Sequence, residues 1–98
     1  MVIKHTVPDQ PDKLQLTFSV PSSIWADRIY LVGDFNEWNA RATPLRRYEE
    51  GWSVALLVDR DSRYGYRYLL DDHSDMCDCH ADAYARSADG SAMSVVVS

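Results

Sequence analysis

Apolar and polar residues alternate along several short segments of this 98-residue chain, the pattern expected of strands with one buried face. At residues 14–20, leucine, phenylalanine and valine alternate with glutamine, threonine and serine until Pro21 ends the run. The β-branched and aromatic run at 28–32 predicts a second strand that ends at Gly33. Further strands are predicted at 52–58, 64–70 and 93–97, with a weaker candidate at 44–48.

The segments at 52–58 and 64–70 lie close together in sequence, and we expect them to form a hairpin across residues 59–63. Helical patterns are weak. Residues 22–28 favour a turn capped by Ser23, and the alanine-rich stretch at 80–88 is shorter than the ~12 residues of a stable helix. Six or seven short strands in a chain of this length predict a single all-β domain over residues 1–98, an immunoglobulin-like sandwich.

Composition agrees with a folded domain. Hydrophobic residues make up 46% and charged residues 26% of the chain, as in ordinary globular proteins. A mass of 11.2 kDa allows roughly 65% of the unfolded surface to be buried, enough for one core. No run approaches the ~18 apolar residues of a membrane helix, and residues 1–13 contain no apolar signal core. We therefore expect a cytoplasmic protein with no membrane partner.

The net charge of −5 is concentrated in residues 71–89, where six aspartates face one arginine, Arg86. Nucleic-acid binding needs clustered cations, so the sequence argues against a nucleic-acid partner. Cys77 and Cys79 stand two positions apart, which leaves little room for unstrained disulfide geometry in an extended segment. Two free thiols fit a reducing cytosol.

One segment carries a specific motif, Gly-Asp-Phe-Asn-Glu-Trp at residues 33–38. Together with Thr-Pro-Leu at 43–45, Gly-Trp at 51–52 and Tyr-Gly-Tyr-Arg-Tyr-Leu-Leu-Asp at 64–71, it resembles the glycogen-binding, isoamylase N-terminal (early set) family. The resemblance covers about residues 14–97. It implies an immunoglobulin-like (early set) β-sandwich of about seven antiparallel strands. Such modules occur beside amylase-type catalytic domains in branching and debranching enzymes, and in the glycogen-sensing subunit of an energy-sensing kinase.

The resemblance implies a non-catalytic module that binds α-glucan, such as glycogen, starch or malto-oligosaccharide, beside an amylase-type enzyme in trans. Trp38 matches a tryptophan that stacks on a glucose ring, and Arg67 stands where family members place a lysine that bonds sugar hydroxyls. Asn36, in the same motif as Trp38, is a further candidate sugar-binding residue. Ser74 and Met93 stand at two further contact positions, where the family has a second stacking tryptophan and an asparagine. The turn before Ser74 reads Asp71-Asp72 rather than Asp-Gly.

Residue chemistry alone leaves alternatives open at these positions. The Trp38 ring has equal reason to pack on Pro44, and Asn36 is a typical turn former. Arg67 is out of phase with the tyrosine stripe of the same strand, which we assign to the core with Trp52. Arg67 should therefore lie on the other sheet face, where arginine is usually solvated. Trp25 in its loop is either an edge cover or an exposed aromatic residue.

One stretch contains ligand types that zinc prefers: His73, Asp75, Cys77, Cys79 and His80. Zinc sites usually draw their ligands from two separate segments, whereas these candidates lie within eight residues, so the alternative is a loop packed over the sandwich edge. We expect no cofactor.

Catalysis is not expected either. No nucleophile motif is present, and a filled sandwich offers no cleft for paired carboxylates. The rival to glucan binding is a protein-interaction or scaffold sandwich that has lost the sugar site, either monomeric or forming a weak homodimer through edge strands.

Overall fold

The computed structural model describes residues 2–71, 74–78, 80–88 and 90–98, and within these ranges the regular structure is almost entirely β. The strands are β1 (Val2–Thr6), β2 (Lys13–Pro21), β3 (Ile29–Gly33), β4 (Arg46–Tyr48), β5 (Gly51–Asp59), β6 (Arg63–Leu70), β7 (Ser74–Met76), β8 (Ala83–Arg86) and β9 (Ala92–Val97). A 3-10 turn at Asp34–Asn36 follows β3. The predicted all-β fold is confirmed. Among the described residues, no helix has the length and apolar character needed to cross a membrane.

The strands form two antiparallel sheets. The first sheet has the order β1-β2-β5-β4, and the second has the order β3-β6-β9-β8, with β7 also paired to β6. Long backbone ladders give each sheet its register, from Lys13↔Asp59 to Pro21↔Gly51 between β2 and β5, and from Ile29↔Leu70 to Gly33↔Tyr66 between β3 and β6. Two such sheets packed face to face make a sandwich of the immunoglobulin-like kind.

The core lies between the two sheets and is rich in aromatic side chains. Phe18 of β2 is fully buried, and its ring centroid lies 5.1 Å from that of Tyr66 on β6 in an edge-on arrangement. Tyr68, two residues along β6, contacts Tyr66 at 5.9 Å. Edge-to-face pairs at these distances stabilise a core by about 0.5–1.5 kcal/mol beyond the area they bury. The tyrosine stripe and Trp52 are therefore core residues, as their phase predicted.

The central strand β6 has two partners along one of its edges. β9 pairs with Arg63–Tyr66, β7 pairs with Tyr68–Leu70, and β3 occupies the opposite edge. Arg67 is the residue of β6 that falls between the two partner runs. Its side chain points away from the core, because the buried tyrosines on either side of it point inward.

The predicted hairpin of residues 52–58 and 64–70 is wrong. β5 belongs to the first sheet and β6 to the second, so the connection between them crosses from one layer to the other. Asp61 in this connection has a positive φ of 56°, and Ser62 exchanges hydrogen bonds with Ser98 at the end of β9. Alternation shows that each strand has one buried face but does not identify its neighbour, which is why the pairing was mispredicted.

Three strands lack a prediction from the sequence. β1 and β7 are short and largely exposed, and β8 lies within the alanine-rich stretch at 80–88. Each of them forms because a longer, more apolar strand offers a backbone edge: β2 for β1, β6 for β7 and β9 for β8. Pairing in the folded state overrides weak local preference in such segments.

Asp82 joins the two sheets at one side of the sandwich. Its Oδ2 accepts hydrogen bonds from Lys4 Nζ of β1 at 2.8 Å and from the backbone N–H of Val97 in β9 at 2.8 Å. The hydrogen bond from Lys4, supported by that from Val97, holds the pKa of the Asp82 carboxyl below its ordinary value of 3.8. The folded state is therefore favoured by the ionised form of this carboxylate.

We expect Asp82→Asn to lower the free energy of unfolding near pH 7 and to have a smaller effect near pH 2. Because the folded pKa is below the unfolded value, the carboxylate contributes its full stability above 3.8 and loses it as pH falls through the folded pKa. Urea unfolding at the two pH values measures the difference. Asp9→Asn, a charge removal in an exposed turn, is the control. An equal effect of Asp82→Asn at both pH values would contradict the assignment.

Candidate functional site

The segment that follows β3 is folded back on itself by tight packing at both ends. A side-chain Cβ at Gly33 would lie 2.5 Å from the carbonyl oxygen of Gly65 and 2.8 Å from the Phe35 ring, so only glycine fits there. Phe35 enters the core, with its ring centroid 5.4 Å from that of Phe18. The backbone N–H of Trp38 donates to Gly33 O at 2.9 Å and closes the turn.

Asn36 holds this loop together with its side-chain amide. Its Oδ1 accepts from the backbone N–H of Gly33 at 3.1 Å, while Nδ2 donates to Leu31 O at 2.8 Å and to Thr43 Oγ1 at 3.0 Å. Both amide hydrogens are thus used inside the loop. The structure agrees with the turn-forming interpretation of Asn36.

Asp34 links the loop to the second sheet. One carboxylate oxygen accepts from the indole Nε1–H of Trp38 at 2.8 Å, and the other accepts from the backbone N–H of Gly65 at 2.7 Å. Gly65 lies just beyond the end of the β3–β6 ladder, so the carboxylate takes the place of the next backbone carbonyl. These two hydrogen bonds to the Asp34 carboxylate hold the Trp38 ring against β6. Glu37 and Trp38 both have the left-handed backbone conformation, with φ of 57° and 58°, which directs the ring towards β6.

Arg67 lies on the outer face of the second sheet, as its phase predicted, but it is not solvated. Its side chain is 17% exposed. Nε donates to Ala92 O at 2.9 Å, Nη2 donates to Ser87 Oγ at 3.3 Å, and Nη1 is 3.5 Å from an Asp75 carboxylate oxygen. The guanidinium carbon lies 5.6 Å from the centroid of the Trp38 ring, within the range of a cation–π contact.

These side chains border a depression of about 370 Å³ on the outer face of the second sheet, lined by Trp38, Arg67, Ser87 and Ala88. The tryptophan comes from the loop after β3, the arginine from β6, and the serine and alanine from the turn between β8 and β9. The depression therefore combines an aromatic ring, a cation and a polar rim drawn from three separate parts of the chain.

The sequence profile of carbohydrate-binding module 48, the isoamylase N-terminal domain, matches residues 7–85. The chain belongs to this carbohydrate-binding module family. The 1,4-alpha-glucan branching enzyme GlgB of Aquifex aeolicus (strain VF5) is 41% identical over 51 residues, a match that covers 45% of this chain and 8% of the enzyme. The module thus corresponds to a small part of that relative's length.

Two other predicted contact residues of the module lie in different places. Met93 is next to the depression: its Sδ would be 2.7 Å from a Cβ placed on Gly65, so the thioether covers Gly65 beside Arg67. Ser74 is exposed and pairs with Leu70 at the far end of β6. The structure therefore brings Trp38, Arg67 and Met93 together and leaves Ser74 apart from them.

The proposed metal ligands of the module make other contacts. Asp75 pairs with Arg67, the Cys77 thiol donates to Ala92 O at 3.4 Å, and the backbone N–H of His80 donates to Asp78 Oδ1 at 2.9 Å. His73 and Cys79 lie outside the described residues. Among the residues that are described, no group of three or more histidine, cysteine, aspartate or glutamate side chains is placed to hold a metal. Cys77 is a free thiol.

Sequence reasoning missed the residues that position the site. From the sequence, Asp34 was interpreted only as a turn-forming side chain, and Ser87 and Ala88, in the acidic region 71–89, were given no part in the site. The presence of an acidic residue four positions before a tryptophan does not by itself predict a hydrogen bond to the indole nitrogen. The contact with Gly65, 31 positions away, depends on the sheet register, which the alternation pattern does not determine.

We expect Asp34→Asn to destabilise the module by about 1–2 kcal/mol, because an amide has one acceptor oxygen where the carboxylate uses two. The indole N–H signal of Trp38 should move in the ¹H–¹⁵N spectrum as its bond is lost or weakened. Glu37→Gln is the control, because it removes a charge from the same loop and the Glu37 side chain makes no hydrogen bond within the described part of the chain. Equal stability of the two variants, or an unmoved Trp38 signal in Asp34→Asn, would contradict this role.

Proposed function

We propose that this module binds α-glucan without catalysing its conversion, with the Trp38 ring against the apolar face of a glucose unit and Arg67 donating to its hydroxyls. The observation that supports this most directly is the fixed position of the two side chains relative to each other. The Trp38 indole is hydrogen-bonded to Asp34, and the guanidinium carbon of Arg67 lies 5.6 Å from the centroid of the Trp38 ring. Both border the same depression on the outer sheet face.

Sugar chemistry fits these two groups. A pyranose presents an apolar face of C–H groups, which suits an aromatic plate, and a rim of hydroxyls, which suits N–H donors. Arginine has five N–H donors in a planar fork. The contacts to Ala92, Ser87 and Asp75 engage three of them among the described residues, which leaves donors for a ligand in the depression.

The size and composition of the site indicate weak binding of short oligosaccharides. About 370 Å³ lies near the lower end of the usual range for ligand sites, which is about 300–1,000 Å³. Met93 supplies no strong hydrogen bond, and Ser74 supplies no aromatic plate. We expect roughly millimolar affinity for maltoheptaose, and stronger apparent binding to glycogen, where many equivalent chain segments are available to one site.

The relative supports the same ligand class, since the name of the Aquifex enzyme specifies 1,4-alpha-glucan as what it branches. We extend this to a partner: the module acts beside an amylase-type enzyme and directs it to the polymer. A cytoplasmic location fits the free thiol of Cys77. The catalytic groups would belong to the partner enzyme.

We expect Trp38→Ala to weaken maltoheptaose binding about tenfold, which corresponds to ~1.4 kcal/mol. Titration followed by amide shifts measures the change, and co-sedimentation with glycogen gives an independent reading. Trp25→Ala is the matched control, because Trp25 is 95% exposed and distant from the depression along the chain.

Unchanged binding by a folded Trp38→Ala protein would refute the proposed site. If the parent itself fails to bind at millimolar sugar, the interaction or scaffold role becomes the better account. Sedimentation across a concentration series then distinguishes a monomer from a weak homodimer.

Arg67→Met should also weaken binding several-fold, because methionine keeps an apolar stem beside Trp38 but has no N–H donors. The variant should lose about 1–2 kcal/mol of stability as well, since Ala92 O and Ser87 Oγ lose a partner. Arg63→Met, an exposed position at the start of the same strand, is the control. Equal sugar affinity of Arg67→Met and the parent would show that the guanidinium makes no contact with the ligand.

A further inference from the structure

A second and larger cavity, of about 720 Å³, lies at the end of the sandwich where β2 ends and β5 begins. Its volume falls well within the range of small-molecule sites. Five residues of β3 separate its loop residue Ile24 from the turn that carries Trp38, and five strand residues span about 17 Å. The residues that line the cavity are also different from those that line the depression containing Trp38.

The walls of this cavity are predominantly apolar and come from both layers. Val20 of β2 and Trp52 of β5 line it from the first sheet, and Tyr68 of β6 and Met76 of β7 line it from the second. Ile24, in the connection between β2 and β3, forms part of the same wall. Val20, Trp52 and Tyr68 are members of the hydrophobic core, so the cavity opens directly into the interior of the sandwich.

The ionisable side chains that line the cavity are two carboxylates and the imidazole of His80. The two carboxylates belong to Glu50 and Asp78. The Asp78 carboxylate is fixed in place, with Oδ2 accepting from Tyr66 Oη at 2.9 Å and Oδ1 accepting from the backbone N–H of His80 at 2.9 Å. Asp78 is only 3% exposed and its carboxylate is held by donors within the fold, so the main barrier to an anion is the loss of its hydration among the apolar walls, to which the exposed Glu50 adds a repulsion. Sugar hydroxyls would find few partners on the apolar walls.

We propose that this cavity is a second ligand site, selective for an uncharged apolar molecule that packs against Trp52 and Ile24. The ligand buries apolar surface against the end of the core, and an anionic molecule of the same shape is disfavoured because its charge would lose hydration among the apolar walls. The cavity shares no lining residue with the Trp38 depression, although Cys77 at the cavity and Arg67 at the depression both donate to Ala92 O.

A matched pair of probes tests both parts of the proposal. N-phenyl-1-naphthylamine is uncharged, and 1-anilinonaphthalene-8-sulfonate has closely similar rings with one negative charge. We expect saturable fluorescence enhancement with the neutral probe and at least about tenfold weaker binding of the sulfonate. Glu50→Gln should reduce the difference in affinity between the two probes, because it should strengthen binding of the sulfonate and leave the affinity for the neutral probe unchanged.

The three tryptophans of the chain locate the bound probe. In the ¹H–¹⁵N spectrum the neutral probe should shift the indole signal of Trp52, which lines the cavity, and leave those of Trp25 and Trp38 in place. Maltoheptaose should instead shift Trp38. Failure of the sugar titration with a probe-shifted Trp52 would reject only the glucan proposal, and the reverse result would reject only this one.

A cavity-filling substitution completes the test. Ile24→Trp should reduce neutral-probe affinity at least about fivefold, whereas Trp25→Ala in the same loop should leave it unchanged. An unshifted Trp52 signal at saturating neutral probe, or equal binding of the two probes, would overturn the proposal. If Ile24→Trp does not fold, the indole shifts and the probe comparison in the parent protein decide the question.

Discussion

The carboxylate of Asp34 is the contact on which the arrangement of the outer sheet face depends. One of its oxygens accepts a hydrogen bond from the backbone of β6, and the other accepts one from the Trp38 indole. The loop that leaves the sheet at Gly33 is therefore hydrogen-bonded to the same sheet one residue later, at Asp34. Gly33 and Gly65 make room for this close approach because each lacks a Cβ. The Gly-Asp-Phe-Asn-Glu-Trp motif is thus a device for holding one tryptophan at a fixed place on a sheet.

The same strand fixes the other half of the site. Arg67 stands where β6 changes partner from β9 to β7, and its guanidinium fills the junction by bonding Ala92 at the start of β9 and pairing with Asp75 on β7. A second bond reaches Ser87 in the turn after β8. Arg67 therefore stabilises the junction between β7 and β9. The same contacts hold its guanidinium beside Trp38.

The sequence was informative wherever burial dictates residue type. Alternation located β2, β5 and β6 and placed Arg67 on the outer face, and runs rich in β-branched residues located β3 and β9. The sequence pattern failed for β1, β7 and β8, which are short and mostly exposed and which form by adding to the edge of a longer strand. It also failed to assign neighbours, since the crossing from β5 to β6 and the bond from Asp34 to Gly65 are properties of the sheet register.

Preorganisation is the physical basis on which the proposed sugar site would bind its ligand through few contacts. Met93, lying over Gly65, presents an apolar thioether, so recognition depends on one ring and one guanidinium. Both are already ordered, Trp38 by its bond to Asp34 and Arg67 by its contacts with Ala92, Ser87 and Asp75. A free arginine or tryptophan side chain loses about 0.5–1.5 kcal/mol of conformational freedom when a ligand immobilises it. Because folding has already supplied that ordering here, the small contact energy of each sugar unit is available for affinity.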